Sequence, residues 1–352
     1  MARRRQAVTI KHVAADAGVS LQTVSRVINE EPNVRPEMKE RVEKSIDKLG
    51  YIPSIAARRM SGSRSYLIMA LNDRDRTIAD WKARQGADWV DQMPLGGMLK
   101  CAESGYRMII ELVDTHSDHV ERELNAALVA LQPDGVILTP PHSENPLITG
   151  LLEKRGVAFA RIGAGNEGAG VSLVMDDEGA ARLATQHLID LGHRRIGFIA
   201  GSPEYQLSAW REAGWRTAMQ RAGLPTAGLR EGGDFSYETG MAAAVKLLCS
   251  KERPTAIIAS NDQMAMATLD AAAERGLAVP FDLSVISFDN TPMTIFCQPP
   301  LTAIDQPIAA TASRAVELLI AANRGEELPS ETEVIEARLI ERGSTALAPD
   351  GG

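Results

Sequence analysis

The 352-residue chain is predicted to be a small all-α module followed by a larger α/β body, in which two parallel sheets carry helices on both faces. Three observations lead there. Residues 9–50 place apolar side chains at helical spacing between glycines, whereas from residue 66 onward short apolar runs alternate with helical segments in two successive series. The length exceeds one ordinary core, so two or three compact units are expected. The charge is also divided: residues 1–64 hold 13 Lys/Arg against 7 Asp/Glu, a balance of +6, while the rest holds 25 against 39, a balance of −14. A basic head on an acidic body suits nucleic acid at one end only.

The head is read first. Thr9 is a good N-cap, Ile10, Val13, Ala14 and Ala17 follow on one helical face, and Gly18 ends the helix. Ser20 caps a second helix that divides by angle: Val24, Val27 and Ile28 lie on one side, and Leu21, Gln22, Ser25, Arg26 and Asn29 on the other. Two short helices joined at a glycine, the second presenting Gln and Arg, have the layout of a helix-turn-helix with its recognition helix in a DNA major groove. There Gln pairs bidentately with adenine, Arg with guanine, and Leu21 offers apolar contact to a base edge. An amphipathic hairpin with Gln22 and Arg26 merely solvated is the alternative. Pro36 and Glu37 suit the first turn of a third helix ending at Gly50, with Val42, Ile46 and Leu49 closing the small core.

Val8 to Asn29, with its Ala17-Gly18-Val19-Ser20 and Thr23-Val24-Ser25-Arg26-Val27 runs, and Leu49-Gly50-Tyr51-Ile52-Pro53 resemble the DNA-binding headpiece of the lactose-repressor (LacI/GalR) family. The likeness extends over nearly the whole chain. It implies a headpiece over 1–49, a hinge over 50–64, and a two-subdomain, periplasmic-binding-protein-like (type I) effector domain over 65–343. It also places Thr9, Ser20, Leu21, Gln22, Thr23, Ser25, Arg26, Asn29 and Tyr51 at the DNA. In the family the hinge becomes helical on operator DNA and inserts an apolar wedge into the minor groove. By position the wedge here is Met60, where leucine is usual, with Ala57 packing beside it. The family's Ser or Thr before the third helix is replaced by Arg35, which weakens that cap.

In the body, strands are expected over 66–71, 108–113, 135–139 and 157–162, with helices over 94–103, 120–131 and 147–154 between them. The second series has strands over 171–175, 195–200, 256–260 and 285–288, and helices over 179–191, 210–222, 238–249 and 263–275. A strand at 301–304, a helix over 308–322 and a last strand over 334–339 follow. From the resemblance, which implies three crossings between subdomains, 65–163 and 293–325 are assigned to the first, and 164–290 and 326–343 to the second. Residues 344–352, rich in small side chains and without a leucine heptad, are expected to be a flexible tail, and a tetramerising helix is not expected.

Ligands of open parallel sheets bind beyond the carboxyl ends of the strands. Asn72, Asp73, Asn261, Asp289 and Gln306 occupy such positions, and Arg211 aligns with the family's effector-binding arginine, beside Trp210. Forked donors, carboxylate acceptors and a stacking ring match sugar hydroxyls and an apolar sugar face. Asx residues after strands are also common helix caps, and Asp262 is read as one. The 73–92 stretch is longer than the family's usual connection and carries Trp81 and Trp89. It is either a lid with aromatic platforms over a larger ligand such as a glycoside, or an excursion packed by its own tryptophans.

Other motifs carry less. Gly163-Ala164-Gly165-Asn166-Glu167-Gly168 has dinucleotide-fingerprint spacing, but a strand follows it, so it is read as a turn between subdomains. His116 and His119 lack a third ligand, and Cys101, Cys249 and Cys297 lie too far apart for a metal, so free thiols and no metal or cofactor are expected. His193 is read as structural, and no nucleophile elbow or phosphate loop occurs. With no long apolar span and no signal-peptide stretch after Arg3-Arg4-Arg5, a cytoplasmic protein without a membrane role is expected. The expected activity is that of a homodimeric, non-enzymatic regulator, most simply a repressor, on pseudo-palindromic operator DNA, controlled by a small molecule, most simply a carbohydrate. The alternative is a sugar-binding protein or sugar-modifying enzyme with an incidental basic head.

Overall fold

The computed structural model describes residues 8–28, 33–51, 64–83, 88–114, 119–165 and 168–349. The chain divides into two units, one ending at Leu67 and taking in Gln132–Asp134, the other holding the rest.

Among the described residues the first unit contains three helices, α1 (Ile10–Ala17), α2 (Leu21–Ile28) and α3 (Pro36–Leu49). Val13, Ala17, Val24, Val27, Val42 and Tyr51 form its core, with Ile10, Ile46 and Leu49 packed at the margin. Gly18 ends α1 in the left-handed region at φ 64. A Cβ there would also stand 2.7 Å from Arg41 Nη2, which donates to the Ala17 carbonyl at 2.6 Å. The left-handed backbone is what calls for glycine here, whereas the flexible end of Arg41 could move aside. As the sequence indicated, Arg35 provides no side-chain cap for α3. The Asp134 carboxylate accepts the N–H groups of Ser65 and Tyr66 at 2.8 and 2.7 Å. The hinge residues 52–63 lie outside the described residues.

Among the described residues the second unit is built on two six-stranded sheets. In the first, β1 (Leu67–Asp73), β2 (Arg107–Val113), β3 (Gly135–Leu138), β4 (Ala158–Ile162), β5 (Val171–Val174) and β11 (Glu333–Val334) run in the order β11-β5-β4-β3-β1-β2. In the second, β6 (Ile196–Ala200), β7 (Arg230–Gly232), β8 (Ala256–Ala259), β9 (Ser284–Asp289), β10 (Thr302–Asp305) and β12 (Arg338–Ile340) run in the order β12-β10-β9-β8-β6-β7, with β12 antiparallel to β10. Central strands such as β1, β3 and β8 are apolar at nearly every position because helices cover both faces.

Those helices are α4 (Arg74–Ala83), α5 (Asp88–Glu103), α6 (Val120–Leu131), α7 (Pro146–Arg155), α8 (Asp177–Asp190), α9 (Gln206–Arg221), α10 (Tyr237–Leu248), α11 (Asp262–Ala273), the short α12 (Met293–Phe296) and α13 (Ile308–Asn323). Three helix pairs close on a glycine. A Cβ at Gly96 of α5 would meet the Ala309 carbonyl of α13 at 1.9 Å, one at Gly214 of α9 the Glu178 carbonyl of α8 at 2.1 Å, and one at Gly240 of α10 the Met264 Cα of α11 at 2.6 Å. In the second subdomain Phe198 stacks on Trp215 with centroids 5.5 Å apart, and the indole N–H donates to the Ile196 carbonyl.

Several expectations are corrected. β5 belongs to the first sheet, paired with β4, so the 163–170 turn lies within the first subdomain and not between the two. β10 belongs to the second sheet, beside β9, although α13 after it does cover the first. The supposed last strand is two strands, one in each sheet, because the chain passes from β11 to β12 within a few residues. Among the described residues the chain thus changes sheets after Val174, after Asp305 and after Val334. The 73–92 stretch is largely helical: α4 follows β1 directly, and α5 begins at Asp88 with Pro94 inside it, at the loss of one i→i−4 bond. Nor is the tail loose up to residue 349. Ser344 is buried and its hydroxyl donates to the Val285 carbonyl at 2.6 Å, and the Ala348 N–H reaches the Leu191 carbonyl at 2.9 Å. The three cysteines are free, and no helix among the described residues is long and apolar enough to cross a membrane.

Candidate functional site: a nucleic-acid face and an inter-sheet cleft

In the first unit the two helix starts are set by side chains. The Thr9 N–H donates to His12 Nδ1 at 3.0 Å, and Ser20 Oγ accepts the Thr23 N–H at 3.0 Å. With Val24 and Val27 buried, Leu21, Gln22 and Arg26 are exposed on the opposite face of α2, and Thr23 and Ser25 are half-buried beside them. That arrangement offers an apolar contact, an amide and a guanidinium from one helix surface, the set that reads base edges. Tyr51 departs from its expected place: only 6% exposed, its ring fills the helical core. Asn29, Ala57 and Met60 lie outside the described residues.

In the second unit the polar residues gather where the strands end. Arg211, from α9, is buried; its Nε donates to Asp177 Oδ1 at 2.7 Å, its Nη1 to the Ser260 carbonyl at 2.5 Å, and its guanidinium carbon sits 4.6 Å from the Phe288 ring centroid. Gln306, after β10, donates to the same Asp177 oxygen at 3.4 Å. Asp289 ends β9 with φ 93, in the left-handed half of backbone space. Asp262, 3% exposed, accepts the Thr291 N–H at 2.6 Å.

Among the described residues, Asp177 Oδ2, Asp262 Oδ1, Gln306 Oε1 and, at the end of β1, Asn72 Oδ1 are buried oxygens without a hydrogen-bond partner. Buried acceptors of this kind need a donor, and ligand hydroxyls supply donors. Burial pushes the carboxyls of Asp262 and Asp289 above the usual range. Asp289 raises Asp262 further, and Asp177 raises Asp289, which Arg211 and Arg76 pull the other way. The site thus sets carboxyls held toward their neutral form, able to donate as well as accept, beside the Arg211 cation.

Other expected members are engaged elsewhere. Asn261, and not Asp262, caps α11: its Oδ1 accepts the Met264 N–H and its Nδ2 donates to the Phe235 carbonyl, so both ends of the amide serve the fold. Asp73 Oδ1 accepts the Arg76 N–H at 2.9 Å. Trp210 is half-buried against the second subdomain's core. Trp81, 51% exposed, stands on the surface of α4. The side chain of Trp89, like residues 84–87, His116, Asn166 and Glu167, lies outside the description.

Asp177 and Arg76 were missed by the sequence reading. Asp177 carried a legible signal, an Asx residue just after a strand, but its neighbour Asp176 is the cap, accepting the Gly179 N–H at 3.0 Å. A crevice of about 330 Å³ also opens between Pro140, Pro141, Glu144 and Gly163 of the first subdomain and Glu204, Tyr205 and Gln206 of the second. His193 is wholly buried, between Thr255 Oγ1 at 2.9 Å and Ser284 Oγ at 3.1 Å, a structural part. No cluster with metal-ligating composition occurs among the described residues.

Comparison with known proteins places both units. Residues 9–54 match the family of bacterial regulatory proteins, lacI family, and residues 185–345 match the periplasmic binding protein-like domain. The chain is 32% identical over 350 residues to the HTH-type transcriptional regulator CelR of Thermobifida fusca, covering 97% of this chain and 99% of that one. It is 32% identical over 352 residues to the HTH-type transcriptional repressor CytR of Escherichia coli strain K12, covering 99% of each. Among solved structures it resembles a CelR–cellobiose complex, with TM-score 0.70 and 30% identity over 96% of this chain and 99% of that one. It also resembles the lac repressor dimer bound to operator and the anti-inducer ONPF, with TM-score 0.75 and 26% identity over 97% of this chain and all of the other.

Proposed function

This chain belongs to the lacI family of bacterial regulatory proteins, and from that premise we propose that it is a repressor released from or held on its operator by a sugar or glycoside in the inter-sheet cleft. It is a DNA-binding transcriptional regulator and not an enzyme, as its relatives are. Work on chromosomal DNA puts it in the cytoplasm.

The observation that carries the ligand reading is the set of buried, unpartnered oxygens on Asn72, Asp177, Asp262 and Gln306. Sugar hydroxyls donate to such acceptors, and Arg211 returns donors to the sugar's own oxygens. That one relative was solved with cellobiose favours a carbohydrate over a nucleobase.

A single headpiece offers little area for strong specificity, which favours a two-fold dimer on a pseudo-palindromic site. Exposed apolar side chains fit a second copy: Leu95, Met98 and Leu99 share one face of α5, and Met293, Ile295 and Phe296 project from α12. Closure of the cleft needs to couple to the headpieces by only about 1–3 kcal/mol to change operator occupancy.

The test is selection of binding sites from random duplex DNA by the full-length protein, with and without a panel of mono- and disaccharides. A recovered inverted repeat whose binding shifts with one sugar is expected. No sequence preference under any condition would end the repressor reading, and a preference that no sugar alters would end the carbohydrate reading.

A further inference from the structure

The helix that follows β1, α4, reaches the other subdomain. Asp73 fixes its first turn by accepting the Arg76 N–H, and Arg76 then extends to the second subdomain. There its guanidinium carbon stands 5.2 Å from the Tyr205 ring centroid and 5.5 Å from that of Phe235, and its Nη1 donates to the Tyr205 hydroxyl at 3.4 Å. The two rings are themselves 5.9 Å apart.

The receiving surface is built at a cost. Phe235 is held at φ 75, a region that bulky side chains avoid, and a Cβ on Gly201 would lie 2.0 Å from its ring, so only glycine lets the ring settle there. Its neighbour Asp234 and, deeper in the cleft, Asp289 both feel the positive charge of Arg76. A cation from one subdomain thus meets an aromatic pair and an acidic site in the other. A guanidinium over ring faces is attracted by their quadrupoles, and the attraction is lost within a few ångströms of separation.

We propose that Arg76 is the clasp of the cleft: with Tyr205 and Phe235 it sets the balance between open and closed arrangements of the two subdomains, and so gates ligand entry and release. The claim concerns closure and does not depend on the ligand being a sugar.

The experiment measures the distance between subdomains directly. Spin labels are placed on Cys249, exposed in the second subdomain, and on Ala130→Cys, exposed in the first, in full-length protein carrying Cys297→Ser and diluted into excess unlabelled protein. Arg76→Ala is expected to raise the open-to-closed ratio about threefold or more, and Arg76→Lys by less. Tyr205→Ala is expected to open the cleft similarly and to add little to Arg76→Ala, because the two act through one contact. A distance distribution unchanged by Arg76→Ala overturns the proposal, and so do independent, multiplying effects of the two substitutions. Arg76 is exposed, so its replacements keep the fold.

Discussion

Replacing Arg211 by alanine tests whether the polar heart of the cleft is one connected unit. The Arg211–Asp177 pair has side chains only 2% and 1% exposed, so neither charge can turn to water when the other is removed. Truncation leaves the Asp177 carboxylate with only the 3.4 Å bond from Gln306, removes the donor to the Ser260 carbonyl, and empties the space against Phe288. Breaking one side of a buried pair costs about 3–5 kcal/mol, most of it the uncompensated charge left behind. For a body of this size that corresponds to a melting temperature lower by roughly 6–20 °C. The assay is calorimetric melting of the full-length protein at fixed concentration. The pair of substitutions Arg211→Met and Asp177→Leu should recover at least half of the loss, since a matched apolar replacement leaves no orphan charge. A loss from Arg211→Ala within about 1 kcal/mol, the worth of an exposed ion pair, would refute the reasoning.

Asp289→Asn should stabilise the protein at neutral pH while abolishing its response to the effector. A carboxyl raised on folding favours the folded state below its unfolded value and loses that advantage as pH rises through the folded one, and asparagine also tolerates positive φ, so a lower melting point in the variant would count against this account. His193 is shifted the other way: burial holds its imidazole below the usual range, so its share of stability is present above about pH 6.5 and falls away as the pH drops below that. Melting curves from pH 8 to pH 5 should show this decline, and His193→Asn should flatten it. Arg26→Ala should cost about 1–3 kcal/mol of operator binding and relax the preference at one base position; undiminished selectivity in a binding-site selection would remove Arg26 from the base-reading face.

Much of the fold could be read in the amino acids because parallel strands covered on both faces are nearly continuous apolar runs, and the helices between them are set off by Gly, Asn and Pro. Thus 120–131 was placed to the residue, and most strands to within two. Sheet membership was harder. Val171–Val174 and Thr302–Asp305 are apolar strands like any other, and nothing local says which sheet each joins; pairing with β4 and with β9 is decided by tertiary packing. The α4 helix was hidden because RDRTIADWKA has no apolar stripe, so its period could not be seen. In the cleft, post-strand polar residues pointed to Asn72, Asp289 and Gln306 but equally to Asn261, whose amide serves α11. Only the direction of each side chain separates an acceptor from a cap. Arg76 left no signal at all, because its partners lie more than a hundred residues away.

The return of α13 and β11 to the first sheet has a consequence for synthesis. During translation the first sheet must wait with one flank uncovered while the entire second half of the body leaves the ribosome, since the helix that roofs β3, β4 and β5 begins only at Ile308. The later half can form most of its own core meanwhile, lacking β10, β12 and the segment around Ser344 and Ala348 that closes on it. Nascent chains stalled near residue 300 should therefore expose the apolar surface of α5 and β4 and depend on chaperones, and release of the last fifty residues should end that dependence.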